Sequence, residues 1–288
     1  MVDLTGKVVL ITGATSGIGL EASVALARMG ARVVMVGRDP KKTAEKVDEV
    51  RTRSTGATVE SLHCDVSSQA QVRALAAAVL AQHERIDVLI NNAGTVFTRR
   101  TLTEDNLEAT FAVNYLSAFL LTNLLLDLLR ESAPARVVNV ASNGHYAGTL
   151  DFDDLGFERG YQIMRAYSRS KLADVLFTRE LARRLSGMGV TVNCVHPGAV
   201  ATNIWDRAPG FTRPFFALAK RIAMISPAAG AETIVYLAAS PEVAQMSGLY
   251  FEKNLPKSPS RLAQDDAIAS RLWDESMKLV KLATTPAA

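Results

Sequence analysis

The sequence predicts an α/β fold built on one doubly wound, largely parallel sheet of about seven strands, and three observations carry that prediction. Short β-branched runs at 7–12, 32–37, 59–63, 86–91, 136–141, 190–195 and 249–251 read as strands. Most of these runs are almost continuously apolar, the pattern of strands buried on both faces of a parallel sheet. Helical patterns at 17–30, 40–54, 68–83, 104–131, 162–187 and 227–239 fall between them, so that right-handed crossovers return the chain from strand to strand. No linker, repeat or low-complexity stretch divides residues 1–288, which are expected to form a single domain. Two stretches break the alternation, 151–162 and 203–226, and 262–282 reads as a final helix with Ile268, Leu272 and Met277 as its contacts.

Composition excludes several classes of function. Hydrophobic residues make up 48% and charged residues 21%, as in an ordinary globular protein with a sizeable core. The excess of 32 basic over 29 acidic side chains leaves +3, too little and too scattered to attract nucleic acid. Cys64 and Cys194 lie far apart beside apolar runs, without the spacing of a metal site or a disulfide framework. They read as small core residues in a reducing cytoplasm. Residues 1–7 lack the basic-then-apolar pattern of a signal peptide. The apolar stretch 116–129 is interrupted by Ser117, Thr122, Asn123 and Asp127, which suits a buried helix and not a membrane span. A cytoplasmic protein with no transmembrane segment and no metal is expected.

The first strand runs directly into Gly13-Ala14-Thr15-Ser16-Gly17-Ile18-Gly19 and then a helix. Glycines there permit a tight turn and close approach of the backbone to a pyrophosphate, whose charge the amides of a helix start would meet. The spacing differs from the common dinucleotide fingerprint, and the strand-turn-helix context is what favours a nucleotide over a plain turn. At the end of the second strand, where an NAD site usually offers an acidic residue to the ribose, stands Arg38, and the first acidic residue, Asp39, comes one position late. A guanidinium suits a 2′-phosphate, so NADP(H) is the expected cofactor, the plainer reading being a solvated arginine. Asp65 follows the third strand, either to accept from an adenine amino group or to cap the helix that begins near Ser67. Asn91-Asn92-Ala93-Gly94 closes the fourth strand as a turn at the ligand edge of the sheet.

Tyr167 and Lys171 lie four residues apart in a helical segment, hence on one face. A phenol is a weak acid, with a reference pKa near ~10. A neighbouring ammonium favours its ionised form, which would let such a pair exchange a proton with a carbonyl oxygen. Ser142 ends the fifth strand, where its hydroxyl could orient that oxygen or simply cap a turn. Asn114 sits inside a predicted helix, unfavourable by propensity, which suggests a hydrogen-bonding task such as holding a water near Lys171. In 203–226, Phe211, Phe215, Leu218, Ile222 and Ile225 recur at helical spacing opposite Arg213 and Lys220. That helix would cover an apolar substrate, pack on the core, or lie on a membrane surface. His145 is close enough to Ser142 to line the same pocket, whereas His63, His83 and His196 read as structural.

Taken together these residues resemble the short-chain dehydrogenase/reductase family, over nearly the whole chain and in the family's order, including the Pro197-Gly198 loop. The resemblance implies a Rossmann fold and a Tyr167-Lys171-Ser142-Asn114 tetrad. It implies that Lys171 binds the nicotinamide ribose and that Thr202 contacts the carboxamide. Val66, Asn92, Ala93, Gly94, Pro197, Gly198 and Val200 would lie by the cofactor, while Asn91 steadies the neighbouring strand. The segments 113–116, 133–140, 170–181 and 195–198 look like the retinol dehydrogenase branch, which generally uses NADP(H) and whose vertebrate members often carry an N-terminal anchor not seen here. The expected activity is hydride transfer between NADP(H) and an apolar carbonyl or alcohol, retinoid or other. A catalytically silent nucleotide-binding regulator of the same fold is the alternative, against which the complete tetrad argues. Helices 104–131 and 162–187 offer apolar faces for a homodimer or for internal packing.

Overall fold

A computed structural model describes residues 2–200 and 225–283. Its sheet has the order β3-β2-β1-β4-β5-β6-β7-β8. The strands are β1 (Val8–Thr12), β2 (Arg32–Gly37), β3 (Val59–His63), β4 (Val88–Asn91), β5 (Ala135–Val140), β6 (Val190–His196), β7 (Tyr250–Glu252) and β8 (Leu255–Lys257). Neighbours pair in parallel as far as β7, and β8 returns antiparallel. On one face lie α1 (Gly17–Arg28), α2 (Pro40–Arg53) and α8 (Pro227–Ala239). On the other lie α3 (Gln69–Gln82), α5 (Ser117–Leu124), α6 (Leu126–Glu131), α7 (Ile163–Arg184) and α9 (Asp266–Leu279).

Both faces of the central strands are buried, and this explains their unbroken apolar runs. Val8 and Leu10 of β1 enter the core under α3, α5 and α7, while Val9 and Ile11 enter the core under α1, α2 and α8. Strand β4 begins two residues later than expected, and just before it the Asp87 carboxylate accepts from the Val8 N–H and the Lys7 ammonium at 2.9 Å each.

An eighth strand joins the seven expected. Lys253 and Asn254 both have positive φ, 53° and 63°, making a two-residue turn between the paired Glu252 and Leu255. Lys-Asn is not the usual sequence for such a turn, and Pro256 marks a run that only an edge strand tolerates.

The helix expected over 104–131 is broken. Its first turn, α4 (Ala109–Phe111), is capped by Glu108, whose carboxylate accepts from the Thr110 and Phe111 N–H groups at 2.8 Å. A wider π turn, Ala112–Leu116, then carries Asn114. Residues 151–162 form turns without regular structure. They are held by Arg169 of α7, which donates to the carbonyls of Thr149, Asp154 and Leu155 and lies 3.6 Å above the Phe157 ring. Of the segment 203–226, residues up to 224 lie outside the described residues; Ile225 donates to the Ala199 carbonyl at 2.9 Å.

The faces of α5 and α7 considered for a homodimer are covered by the chain's own α9. Trp273 packs edge-on against Phe119 (4.9 Å between centroids) and lies 6.0 Å from Phe177, with the Arg184 guanidinium 4.3 Å over its ring. The Tyr115 hydroxyl meets Ser276 Oγ at 2.6 Å. Emptying this aromatic cluster by Trp273→Ala is expected to cost about 3–5 kcal/mol of stability. Urea unfolding measures it, and an unchanged midpoint would mean that α9 is not part of the core.

Candidate active site

The strand order reverses between β1 and β4, where the following chain leaves toward opposite faces, and a cleft of about 840 Å³ opens at these carboxyl ends. Gly13 and Gly17, with φ of 66° and 55°, turn the chain from β1 into α1 in a conformation that other residues rarely adopt. A side chain at Gly13 would come within 2.9 Å of Ala93 Cα, and one at Gly19 would strike Asn92 Nδ2. The glycine spacing is therefore set by contact with the 92–93 turn as much as by any ligand. Asn92 clasps the loop, donating from Nδ2 to the carbonyls of Thr12 (2.9 Å) and Gly13 (3.1 Å). Thr12 Oγ accepts in return from the N–H groups of Asn92 and Ala93, a role the sequence did not suggest. Asn91 bonds Asn139 of β5 at 2.8 Å and steadies that neighbour as expected.

Ser16 is the first residue of α1's cap, but its side chain does not bond the helix amides. With Gly13, Thr15, Gly17, Ile18 and Gly19 it lines the cleft. Arg38 and Asp65 also line it, 3.9 Å apart as an ion pair, with the Arg38 side chain 66% exposed. Asp39 is explained by local structure: its carboxylate accepts from the Lys42 N–H at 2.9 Å and caps α2. Lys42, unmarked in the sequence, lines the cleft beside Arg38. Asp65 accepts from the Ser67 N–H and hydroxyl, shaping the turn before α3, whose actual cap is Ser68. Val66, Ala93, Gly94, Pro197, Gly198 and Val200 line the cleft as well. Thr202, Phe211 and Phe215 lie outside the described residues.

At the other end of the cleft stand Ser142, Tyr167 and Lys171. The capping role expected of Ser142 is present, its Oγ accepting from the Gly144 N–H (3.1 Å) at the turn Asn143–Ala147, and the residue also lines the cleft. A side chain at Gly144 would lie 3.1 Å from Tyr167 Cε1 and 3.5 Å from Ser142 Oγ, so the serine and the phenol face one small space. Lys171, 4% exposed, donates from Nζ to the Val140 carbonyl and to Asp174 Oδ2, both at 2.8 Å. Burial pulls the lysine's pKa down, but Asp174 and Tyr167 outweigh it and the net shift is upward.

Asn114 sits behind this wall and does not line the cleft. Its Oδ1 accepts from the Thr95 N–H (2.8 Å) and its Nδ2 donates to Ser170 Oγ (3.0 Å), which in turn donates to the Tyr167 carbonyl. The asparagine thus ties the loop after β4 to the helix of Tyr167. His145 departs from expectation. It is fully buried, with Nδ1 2.7 Å from the Ser142 carbonyl and Nε2 accepting from the Ser260 N–H, and it does not line the cleft. The turn that presents Ser142 to the cleft carries His145 round to the opposite side, against Tyr250. His196, read as structural, does line the cleft, and burial lowers its pKa, favouring the uncharged ring. Burial pushes the Cys64 and Cys194 thiols up to about 12, so both are protonated and inert.

The sequence missed the apolar wall beyond Tyr167, formed by Phe97, Leu102, Val113 and Met164. Met164 alone carried a signal, one turn before Tyr167 on the same helix. The Tyr161 hydroxyl donates to the Phe97 carbonyl at 2.9 Å and props the loop from outside. No helix among the described residues is long and apolar enough to cross a membrane.

Comparison with known proteins agrees with this arrangement. The short chain dehydrogenase family model matches residues 7–209. Retinol dehydrogenase 13 of Homo sapiens is 42% identical over 97% of this chain and 86% of its own length. Retinol dehydrogenase 14 of Mus musculus is 44% identical over 96% and 86%. Among solved structures, an uncharacterised protein from Mycobacterium paratuberculosis superposes with a TM-score of 0.79 at 32% identity, over 98% of this chain and 96% of that one. The Pseudomonas aeruginosa RhlG/NADP active-site complex does so with a TM-score of 0.71 at 29% identity, over 86% and 95%. With its glycine turn, its Tyr167/Lys171 helix and this extent of likeness, the chain belongs to the short-chain dehydrogenase/reductase family of oxidoreductases, in the retinol dehydrogenase-like branch.

Proposed function

We propose that this protein is an NADP(H)-dependent oxidoreductase of apolar carbonyl compounds and the corresponding alcohols, with Tyr167 as its general acid and base. The observation that carries the reading is the convergence of Ser142, Tyr167 and Lys171 on one end of a cleft whose other end is the glycine turn and Arg38. The dimensions and lining suit a dinucleotide. The start of α1 offers amides to the pyrophosphate, and the side-chain-free surface at Gly94 and Gly144 leaves room beside Lys171 and Tyr167. When bound, the nicotinamide supplies or accepts the hydride.

Every other task falls to the chain. Arg38, with Lys42 beside it, holds a 2′-phosphate by charge-assisted hydrogen bonds. Lys171 reaches the nicotinamide ribose with the N–H that Val140 and Asp174 leave unused. Ser142 orients the substrate oxygen, and Tyr167 gives it a proton during reduction or removes one during oxidation. Thr202 is assigned to the carboxamide, and Phe211 and Phe215 to cover over the substrate. Phe97, Leu102, Val113 and Met164 make the wall for an apolar substrate, in keeping with relatives named for retinol.

Arg38→Asp is expected to weaken NADPH binding by roughly 10- to 100-fold, the loss of one charge-assisted contact, and to favour NADH. Calorimetry showing equal affinity of the unaltered protein for both cofactors would remove Arg38 from this role. Tyr167→Phe should still bind NADPH but lose at least ~10² in kcat/KM, as general-acid catalysis requires. A folded Tyr167→Phe protein that keeps most of its activity would end the proposed mechanism. Met164→Ala or Phe97→Ala should raise KM for long apolar aldehydes more than for short ones, at about 0.8 kcal/mol for each CH₂ that loses its contact. Equal effects across chain length would mean that this wall does not touch substrate.

A further inference from the structure

We propose that Asp174 is a positioning residue of this site, fixing the Lys171 ammonium and offsetting its charge, so that it sets the pH at which the site gives up its proton. The inference rests on the catalytic reading of Tyr167 and Lys171 given above. Asp174 and Lys171 lie three residues apart on α7, with side chains only 3% and 6% exposed, and their charged atoms are 2.8 Å apart. An ammonium has three N–H donors. Asp174 and the Val140 carbonyl take two, from opposite elements of the core, and one is left for the cleft. The lysine is thereby held without help from any ligand.

The pair is also electrically closed. Among the described residues the other titratable groups facing Asp174 are Cys194 of β6 and Tyr115 of the π turn, and burial holds both in their neutral forms at ordinary pH. Among the described residues no further cation contacts the carboxylate, whose pKa burial pushes up to about 6 while Lys171 opposes the rise, so it is ionised at neutral pH. The phenol of Tyr167 therefore faces a neutralised pair and not a lone cation. The carboxylate offsets the field that the ammonium alone would exert on the reacting end of the cleft.

The test is Asp174→Asn in the full chain, with kcat/KM followed against pH for reduction of a medium-chain aldehyde by NADPH and for oxidation of its alcohol by NADP⁺. Removing one negative charge makes every neighbouring group a stronger acid. Both profiles should move to lower pH by about one unit, the scale of a charge about two helical turns (~10 Å) away in a medium of effective dielectric ~20. Loss of packing alone would lower rates without moving the profiles. An active Asp174→Asn protein whose profiles superimpose on those of the unaltered chain overturns the inference. If that variant is too unstable to assay, urea unfolding of Asp174→Asn, Lys171→Met and the double variant decides. Each single change strands a buried charge, so the double variant should be more stable than either, and additive losses would overturn the pairing. Retained activity in Tyr167→Phe would defeat the catalytic reading instead, whereas an inactive Tyr167→Phe beside unmoved Asp174→Asn profiles would defeat only this inference.

Discussion

Where β1 and β4 end side by side, the chain must leave one strand for one face of the sheet and the other strand for the opposite face. The gap this creates has to stay open for a ligand and yet not spread. Thr12 and Asn92 meet that constraint with four hydrogen bonds across the gap, from side chain to backbone in both directions. The glycines follow from it, because Gly13 and Gly19 lie where any side chain would push the two turns apart. The helix start, the Arg38 corner and the Tyr167 wall are all placed relative to this closed seam. Its bonds are worth little singly, about 1 kcal/mol each, but they are half-buried and share the same two side chains.

Much of this architecture was legible in the sequence because double burial of the strands leaves an apolar signature independent of detail. The first six strands and the helices α1, α2, α3, α7 and α8 fall close to their expected places for that reason. What escaped depended on tertiary contacts. Glu108 caps a helix although glutamate is not a usual capping residue, so the start of α4 carried no local mark. The π turn carries Asn114, whose amide is held by Thr95 and Ser170, and neither is near it in sequence. The β7–β8 turn uses Lys-Asn where Asn-Gly would have announced it.

The candidate site shows the same division. Tyr167, Lys171 and Ser142 were each weak signals alone and legible only together, in the order of the family that the sequence resembles, and all three line the cleft. His145 could not be placed, because three residues of tight turn separate facing the cleft from facing the core. Asp39 and Asp65 illustrate how a single carboxylate can look like a ligand group while its local task is to shape a turn. Asp174 was invisible as a partner of Lys171 for the opposite reason: a lysine and an aspartate three apart on a helix are ordinarily a solvated surface pair, and only the depth of α7 in the core makes this one consequential.

Arg169 grips the loop 149–157 through main-chain carbonyls at three positions, and Phe157 is the one side chain it covers. An anchor that reads backbone is indifferent to most of the residues it anchors. The loop can therefore change those side chains that face solvent without loosening the helix that carries Tyr167 and Lys171, while Leu150, Phe152, Leu155 and the Asp154 carboxylate hold its path from within. A single guanidinium is thus the joint between an exchangeable surface and a fixed helix, and the two are free to evolve at different rates.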